Sequence, residues 1–396
     1  MRIKFVSKTP LERMAPLWNA LVPPGGFPGA TFTFDPNDRH YDALCIYEDF
    51  PPDPHRGKVV HTERLACPRR RTLLITTEPS SIRLMGPHYM AQFGHVWTSV
   101  RYKDAGINPA RGLIADDSLW RAYNSILFKG RPSMRRRRGA LPPPLRWFYG
   151  RDFEGTAHVR IETLAKQHPP KSADLSTVTS TKAMDHTVHK ARLDFVQALK
   201  ARMGDDIILF GRGFHNLRDK AEAMAPYRYH LAIENHIQSG HHTEKLTDCF
   251  LAECLPFYFG DPDYDKVYPK QAVIPIDITD LDGAERIIRE TIAANAWERR
   301  LPAIRKAKRR ALSLANPVAQ AANWASELDT AAPSSSDRGS VIHGRHSFRR
   351  AHPFLALRDL AAIRALARTR IADPLQGLDA LRVKLREVSH SPFTGN

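Results

Sequence analysis

An α/β layer fold is predicted for this chain of 396 residues by three features. Short β-rich runs recur between turn signals, stretches of helical periodicity separate them, and the composition (42% hydrophobic, 26% charged) is that of a globular protein.

The N-terminal runs are Ile3 to Val6, Ala43 to Tyr47 and Thr72 to Thr76, the last followed at once by Glu78-Pro79. Their spacing leaves room for helical crossovers and so predicts parallel strands. The first helix is expected over Pro10 to Leu21, where Leu11, Met14, Leu17 and Leu21 recur at three- and four-residue intervals. Between Arg131 and Gly150 the pattern breaks, with Arg135-Arg136-Arg137-Arg138 followed by Pro142-Pro143-Pro144. This reads as an interdomain crossing or exposed loop, its arginines solvated or in contact with an anion.

A second α/β block begins near Ser176. A strand at Thr177 to Ser180 precedes a helix with Ala191, Phe195, Leu199 and Met203 on one face, then a strand at Ile207 to Phe210 and a Gly211-Arg212-Gly213 turn. Next come a strand at Tyr229 to Glu234, a polar loop, a helix from about Thr243 to Cys254, and a strand at Pro256 to Phe259 closed by Gly260-Asp261-Pro262-Asp263. Val273 to Ile278 is the last strand, and one long helix is expected from Gly283 through Trp324. Ala331 to Ser340 has the composition of a flexible linker. The basic tail beyond it has Leu378, Leu381, Leu385 and Val388 at helical spacing.

The length allows two or three domains at roughly 150 residues each. A formal net charge of +17 points to anionic partners, phosphate included. Four cysteines, none in a Cys-x-x-Cys pair, suit thiols buried as small hydrophobes in a reducing compartment. The longest mainly apolar stretch, Cys249 to Gly260, is interrupted by Glu253 and Pro256, so no transmembrane helix is expected. Met1 to Met14 has no apolar segment of the secretory kind. A cytoplasmic location is therefore expected.

The chemistry concentrates in Tyr229-His230-Leu231-Ala232-Ile233-Glu234-Asn235, seven loop residues, and Thr243-Glu244-Lys245-Leu246. This is a buried strand delivering Glu and Asn to its C-terminal end, opposite the start of a helix, the edge where open α/β sheets bind ligands. Thr243 is a good N-cap, and the free amides of the first turn favour a phosphate. Lys245 adds a full charge, and Glu244, an acceptor-only carboxylate, suits a sugar diol such as ribose. Together they describe a pocket for a nucleoside diphosphate.

These residues, with the LPFYFGDPDYDKVYP that follows, resemble the donor-binding signature of the α-1,3/4-fucosyltransferases, glycosyltransferase family 10. Further likenesses come in the family's order: Thr76-Thr77-Glu78-Pro79-Ser80, Trp97 through Ile107, Ala191-Arg192 with Phe195, and Phe210-Gly211-Arg212-Gly213-Phe214. The resemblance covers Thr72 to Trp324. It implies a GT-B architecture of two Rossmann-like domains facing a cleft, an acceptor domain over 1–165 and a nucleotide-sugar domain over 172–330, followed by a flexible linker and basic helical tail over 331–396.

The implied reaction transfers L-fucose from GDP-fucose to a hydroxyl of an acceptor glycan with inversion. Glu78 would be the base, Arg192 and Lys245 would steady the departing diphosphate, Glu244 would hold the ribose, Asn235 would fix donor orientation, and Glu234 is expected nearby. His230 and His241 stand where the family has tyrosines lining the donor site, and His236 replaces a serine. These changes leave another nucleotide-sugar donor open. With His242 they also raise a metal site, but the ligand spacing is irregular and stacking or hydrogen bonding is the preferred reading. Asp261-Pro262-Asp263 reads as a turn, so neither a metal nor another cofactor is expected to be essential. A basic nucleic-acid-binding protein is the rival from another class, disfavoured because no aromatics interleave with the arginines. The tail, ten Lys/Arg against four Asp/Glu over residues 341–396, is expected to rest on an anionic membrane, where a lipid-linked acceptor would sit, or else to pack on its own protein or dimerise.

Overall fold

The structure, a computed structural model, describes residues 1–55, 57–79, 82–100, 143–154, 157–182, 187–328, 340–367 and 378–389. The four arginines 135–138, the linker over 331–339 and residues 101–107 of the upstream resemblance lie outside the described residues. The chain forms two compact units, residues 1–144 with 317–372, and residues 145–316 with 373–396.

The first unit is built on a parallel sheet of five strands: β1 (Arg2–Ser7), β2 (Thr31–Thr33), β3 (Ala43–Tyr47), β5 (Thr72–Thr76) and β6 (His95–Thr98), in the order β2-β1-β3-β5-β6. β4 (Thr62–Arg64) stands outside it. The second unit repeats the plan with β7 (Ala173–Val178), β8 (Ile207–Phe210), β9 (Tyr227–Ile233), β10 (Leu255–Phe259) and β11 (Ile274–Pro275), ordered β11-β10-β9-β7-β8 and parallel throughout. Both sheets reverse direction beside their first strand, as doubly wound folds do. Each unit by itself is thus a Rossmann-like α/β domain, the fold class that the sequence predicts.

The central strands are covered on both faces, which explains their nearly continuous apolar runs. Leu255–Phe259 is buried at every residue, and so is Thr72–Thr76. Helix Leu11–Asn19 buries Met14, Leu17 and Trp18, while Leu11 is exposed. All four cysteines are buried free thiols.

Three expectations need correction. The long helix is three, Leu281–Ala293, Ala296–Leu314 and Pro317–Ser326. Asn295 turns left-handed at φ 47° to end the first, and Pro317, which cannot donate into a preceding turn, starts the third. The domain limits of 165 and 330 also shift. The chain enters the second unit at Leu145, and Pro317–Ser326 returns to the first, because its apolar Val318, Ala321 and Trp324 are buried there.

The tail is not a separate segment, and of its expected courses it takes packing on its own protein. Val341–His343 pairs antiparallel with β4. The Asp359 carboxylate accepts from the backbone amides of His88 and Tyr89 at 2.8 and 2.9 Å. Gly86 is required beneath it, since a Cβ there would lie 2.1 Å from that carboxylate. Helix Leu378–Ser389 packs on the second unit, with Leu381 fully buried and Arg382 within 3.1 Å of Asp277. The apolar stripe expected to meet a membrane is thus turned, at Leu381, onto the protein itself. Among the described residues no helix is long and apolar enough to cross a membrane.

Candidate functional site

The direction reversal of the second sheet falls between β7 and β9, where crossovers leave on opposite faces and open a crevice at the strands' C-terminal ends. Glu234 and Asn235 emerge there from β9. Arg192 arrives on the first turn of helix His189–Met203, which follows β7, and its Nη1 donates to Asn235 Oδ1 at 2.6 Å. The Asn235 carbonyl accepts from Val188 N at 3.1 Å, tying the helix start to the strand end. Burial lowers the Arg192 pKa, opposed by the negative charges of Glu234 and Glu244. Its Nε is buried with no partner among the described residues.

Across the crevice, Thr243 caps helix Glu244–Leu251 by accepting from Lys245 N. Glu234 holds this cap. Its Oε1 accepts from Thr243 N at 2.7 Å and its Oε2 from Thr243 Oγ1 at 2.6 Å. Both carboxylate oxygens are thereby engaged by the cap, so Glu234 braces the helix start. Gly260 makes this possible, because a Cβ there would lie 2.4 Å from Glu234 Cγ.

Lys245 Nζ lies 3.2 Å from Thr243 Oγ1, 3.3 Å from Glu244 Oε1 and 3.5 Å from Glu234 Oε2. Glu244 meets a second cation, Lys220, whose Nζ is 3.5 Å from Oε1. Burial alone would raise the Glu244 pKa, but Lys245 and Lys220 outweigh it and hold the carboxyl well below the usual range, ionised. Lys220 Nζ also reaches Asp248 Oδ2 at 2.9 Å, and Asp248 Oδ1 accepts from Phe148 N and Tyr149 N at 2.8 and 3.0 Å. Sequence reasoning missed Lys220, which stands 24 residues before Glu244 with no motif around it. It missed Asp248 as well, although that residue stands one helical turn after Glu244.

The histidines divide. His230 is buried within β9, its Nδ1 2.8 Å from Ser176 Oγ. His241 is buried in the loop beside His236, with ring centroids 6.1 Å apart. Desolvation, joined by neighbouring positive charge, pushes each down to about 3, so both are neutral imidazoles at pH 7. His242 Nδ1 faces Asp261 Oδ2 at 3.0 Å, while Asp261 Oδ1 accepts from the amides of Gly240 and Asp263. The Asp-Pro-Asp segment is a turn closing β10. Among the described residues no group of three or more His, Cys, Asp or Glu is arranged to hold a metal ion.

Five of the expected residues, Arg192, Glu234, Asn235, Glu244 and Lys245, thus form one connected constellation, with His241 beside it. The arrangement offers an anion two cations, the unpartnered Arg192 Nε and the positive end of a helix, and offers hydroxyls an ionised carboxylate. Glu78 belongs to the other unit. It stands two residues beyond β5, a third exposed, with Oε1 3.8 Å from Lys8 Nζ.

Residues 170–289 match the model of the glycosyltransferase family 10 (fucosyltransferase) C-terminal domain. Over 71 residues the chain is 32% identical to an α-(1,3)-fucosyltransferase FucT of Helicobacter pylori, a stretch that is 18% of this chain and 15% of that protein. Among solved structures, an α1,3-fucosyltransferase crystallised with GDP-fucose is 18% identical, with a TM-score of 0.37 over 76% of this chain and 81% of that one. The DNA-modifying enzyme β-glucosyltransferase is 9% identical, with a TM-score of 0.36 over 82% and 98%. The family-model match lies within Thr72 to Trp324, the wider stretch over which the sequence resembles the family, and contains all five residues of the constellation. Residues 170–289 are thus similar to the C-terminal domain of the family 10 fucosyltransferases.

Proposed function

We propose that the chain is an inverting fucosyltransferase that moves L-fucose from GDP-fucose to a hydroxyl of an acceptor glycan, of the α-1,3/4 type, the second unit binding the donor and the first the acceptor. The observation that carries this reading is the meeting of Arg192, Asn235, Lys245 and the Thr243-capped helix start at the reversal point of a domain similar to those of family 10. In the transfer, the acceptor oxygen bonds to the anomeric carbon as the bond from that carbon to the diphosphate breaks. GDP leaves with the electron pair, and Glu78 takes the hydroxyl proton. Charge grows on the leaving diphosphate, where Arg192, Lys245 and the helix start oppose it. The chain supplies this positive field itself, and the proposal includes no essential metal.

Glu244 would accept from the ribose hydroxyls. His241 would line the donor side, and His230 would support it from within the sheet. The proposed location is the cytoplasm, peripheral to an anionic membrane, and the surface that supports it is helix Pro353–Ala367. This helix exposes Phe354 and Leu357 at 76% and 63%, beside Arg349, Arg350 and Arg358. Phe354→Ser with Leu357→Ser should release the protein from anionic vesicles; unchanged binding refutes this placement.

The central test is a nucleotide panel. GDP and GDP-fucose should raise the unfolding temperature while UDP and UDP-sugars do not, since ligand at 100 times its dissociation constant adds about 2.7 kcal/mol. Labelled GDP-fucose with an acceptor glycan should then yield labelled product. Stabilisation by a different nucleotide sugar would reassign the donor.

A further inference from the structure

We propose that Lys220 is the positioning residue for ribose recognition, holding Glu244 in place when Lys245 turns to the diphosphate. This inference rests on the nucleotide-sugar reading and names a residue that reading does not use.

Glu244 and Asp248 are one turn apart on the same face of helix Glu244–Leu251. Two carboxylates so placed repel each other. Lys220 Nζ sits between them, 3.5 Å from Glu244 and 2.9 Å from Asp248, and makes the pair tolerable. The lysine is fixed from every side. Asp248 is fully buried and anchored to the amides of Phe148 and Tyr149, and the Phe148 ring lies 5.1 Å from the ammonium. Burial would lower the Lys220 pKa, yet Asp248 and Glu244 together raise it, so the group is a permanent cation.

Lys245 differs. Its side chain keeps 20% exposure against 9% for Lys220, and the three partners given above, Thr243, Glu244 and Glu234, all stand at the mouth of the crevice. A diphosphate arriving at the helix start competes with Glu234 and Glu244 for this ammonium. If Lys245 alone held Glu244, phosphate capture would release the ribose carboxylate at the moment it is needed. Lys220 removes that conflict, because its other partner is an internal aspartate that no ligand reaches.

The test compares two affinity ratios by calorimetry. Discrimination of GDP over 2′-deoxy-GDP reads the carboxylate's contact with the ribose, and discrimination of GDP over GMP reads the grip on the second phosphate. For the unaltered chain we expect about tenfold ribose discrimination, the effect of a lost hydrogen bond to a charged group. Lys220→Gln should collapse the ribose ratio to about one while leaving the phosphate ratio in place, and Lys220→Arg should keep most of the ribose ratio. Because Lys220→Gln strands the buried Asp248, the charge-neutral pair Lys220→Met with Asp248→Asn is measured beside it and should behave alike. A wild-type ribose ratio in either variant overturns the proposal, as does parallel loss of both ratios. Failure of both variants to fold assigns Lys220 to the scaffold and overturns it equally. An unaltered chain that binds GDP no better than UDP fails the nucleotide reading itself, a separate and recognisable result.

Discussion

Two buried charge clusters, one in each unit, use similar residues to opposite ends. In the first, the Glu63 carboxylate is wholly enclosed. Lys4 Nζ and Tyr41 Oη lie 3.0 and 2.7 Å from Oε1, and Arg39 Nη1 and His61 Nε2 lie 2.7 and 3.0 Å from Oε2. Lys4 also donates to the carbonyls of Pro36 and Asp38. Every partner is part of the fold, and the cluster fastens β1 to β4 and to the loop after β2. In the second, around Glu234 and Glu244, a buried arginine nitrogen has no partner among the described residues, and one lysine meets Glu234 and Glu244 at the mouth of the crevice. Closure marks a structural cluster, and an incomplete set of partners marks one built for a ligand.

The sharpest way to break the contrast is through the group outside both clusters. Glu78→Gln should lower transfer by about 10² to 10⁴ while GDP affinity is unchanged, because a general base acts on the acceptor and not on the nucleotide. Transfer at the wild-type rate would remove Glu78 from the role. Lys245→Ala and Arg192→Ala come next. Each should cost about 10² to 10³ in turnover, with weakened GDP binding and little change in unfolding temperature, because the lost partner is chiefly the ligand. If either variant melted early with its catalysis intact, the second cluster would be as structural as the first.

Glu63→Gln should show the reverse pattern. Burial favours the neutral acid, but His61, Lys4 and Tyr41 pull Glu63 down to about 2, so the folded protein holds a carboxylate there. Removing its charge leaves Lys4 buried and uncompensated, a loss of about 3–5 kcal/mol in denaturant unfolding. GDP affinity per folded molecule should stay the same. A change in that affinity with stability preserved would erase the distinction between the clusters.

The sequence exposed the second cluster better than the first, for a physical reason. Glu234, Asn235, Thr243, Glu244 and Lys245 fall within one strand, loop and helix, so short-range spacing places them together. The strands and the Thr243 cap were legible in the same way, since period and capping are local properties. Lys220 and Asp248 joined only through a tertiary contact, and Glu63 with Lys4 only through the pairing of distant segments. The tail's sequence left membrane and protein open as its partner, because apolar positions specify that something covers them, not what. That Asp359 would sit over Gly86 has no local signature at all.

The smallest effect concerns two buried imidazoles of the second unit. His230 and His241 are held down to about 3, chiefly by burial, while an unfolded chain protonates near 6.5. A histidine whose folded pKa is depressed contributes stability that is complete above 6.5 and is lost as pH falls toward 3. Between these limits the unfolded state binds the extra proton, giving a slope of about 1.4 kcal/mol per pH unit for each histidine. Denaturant unfolding measured between pH 7.5 and 4.5 should show this decline. His230→Gln, which retains a hydrogen-bonding group beside Ser176, should remove one histidine's share of it while leaving the stability at pH 7.5 within about 1 kcal/mol. An unaltered slope would mean that His230 takes up its proton without unfolding. A buried imidazolium beside Lys220 would then have to be accommodated, which the positive charge already there opposes.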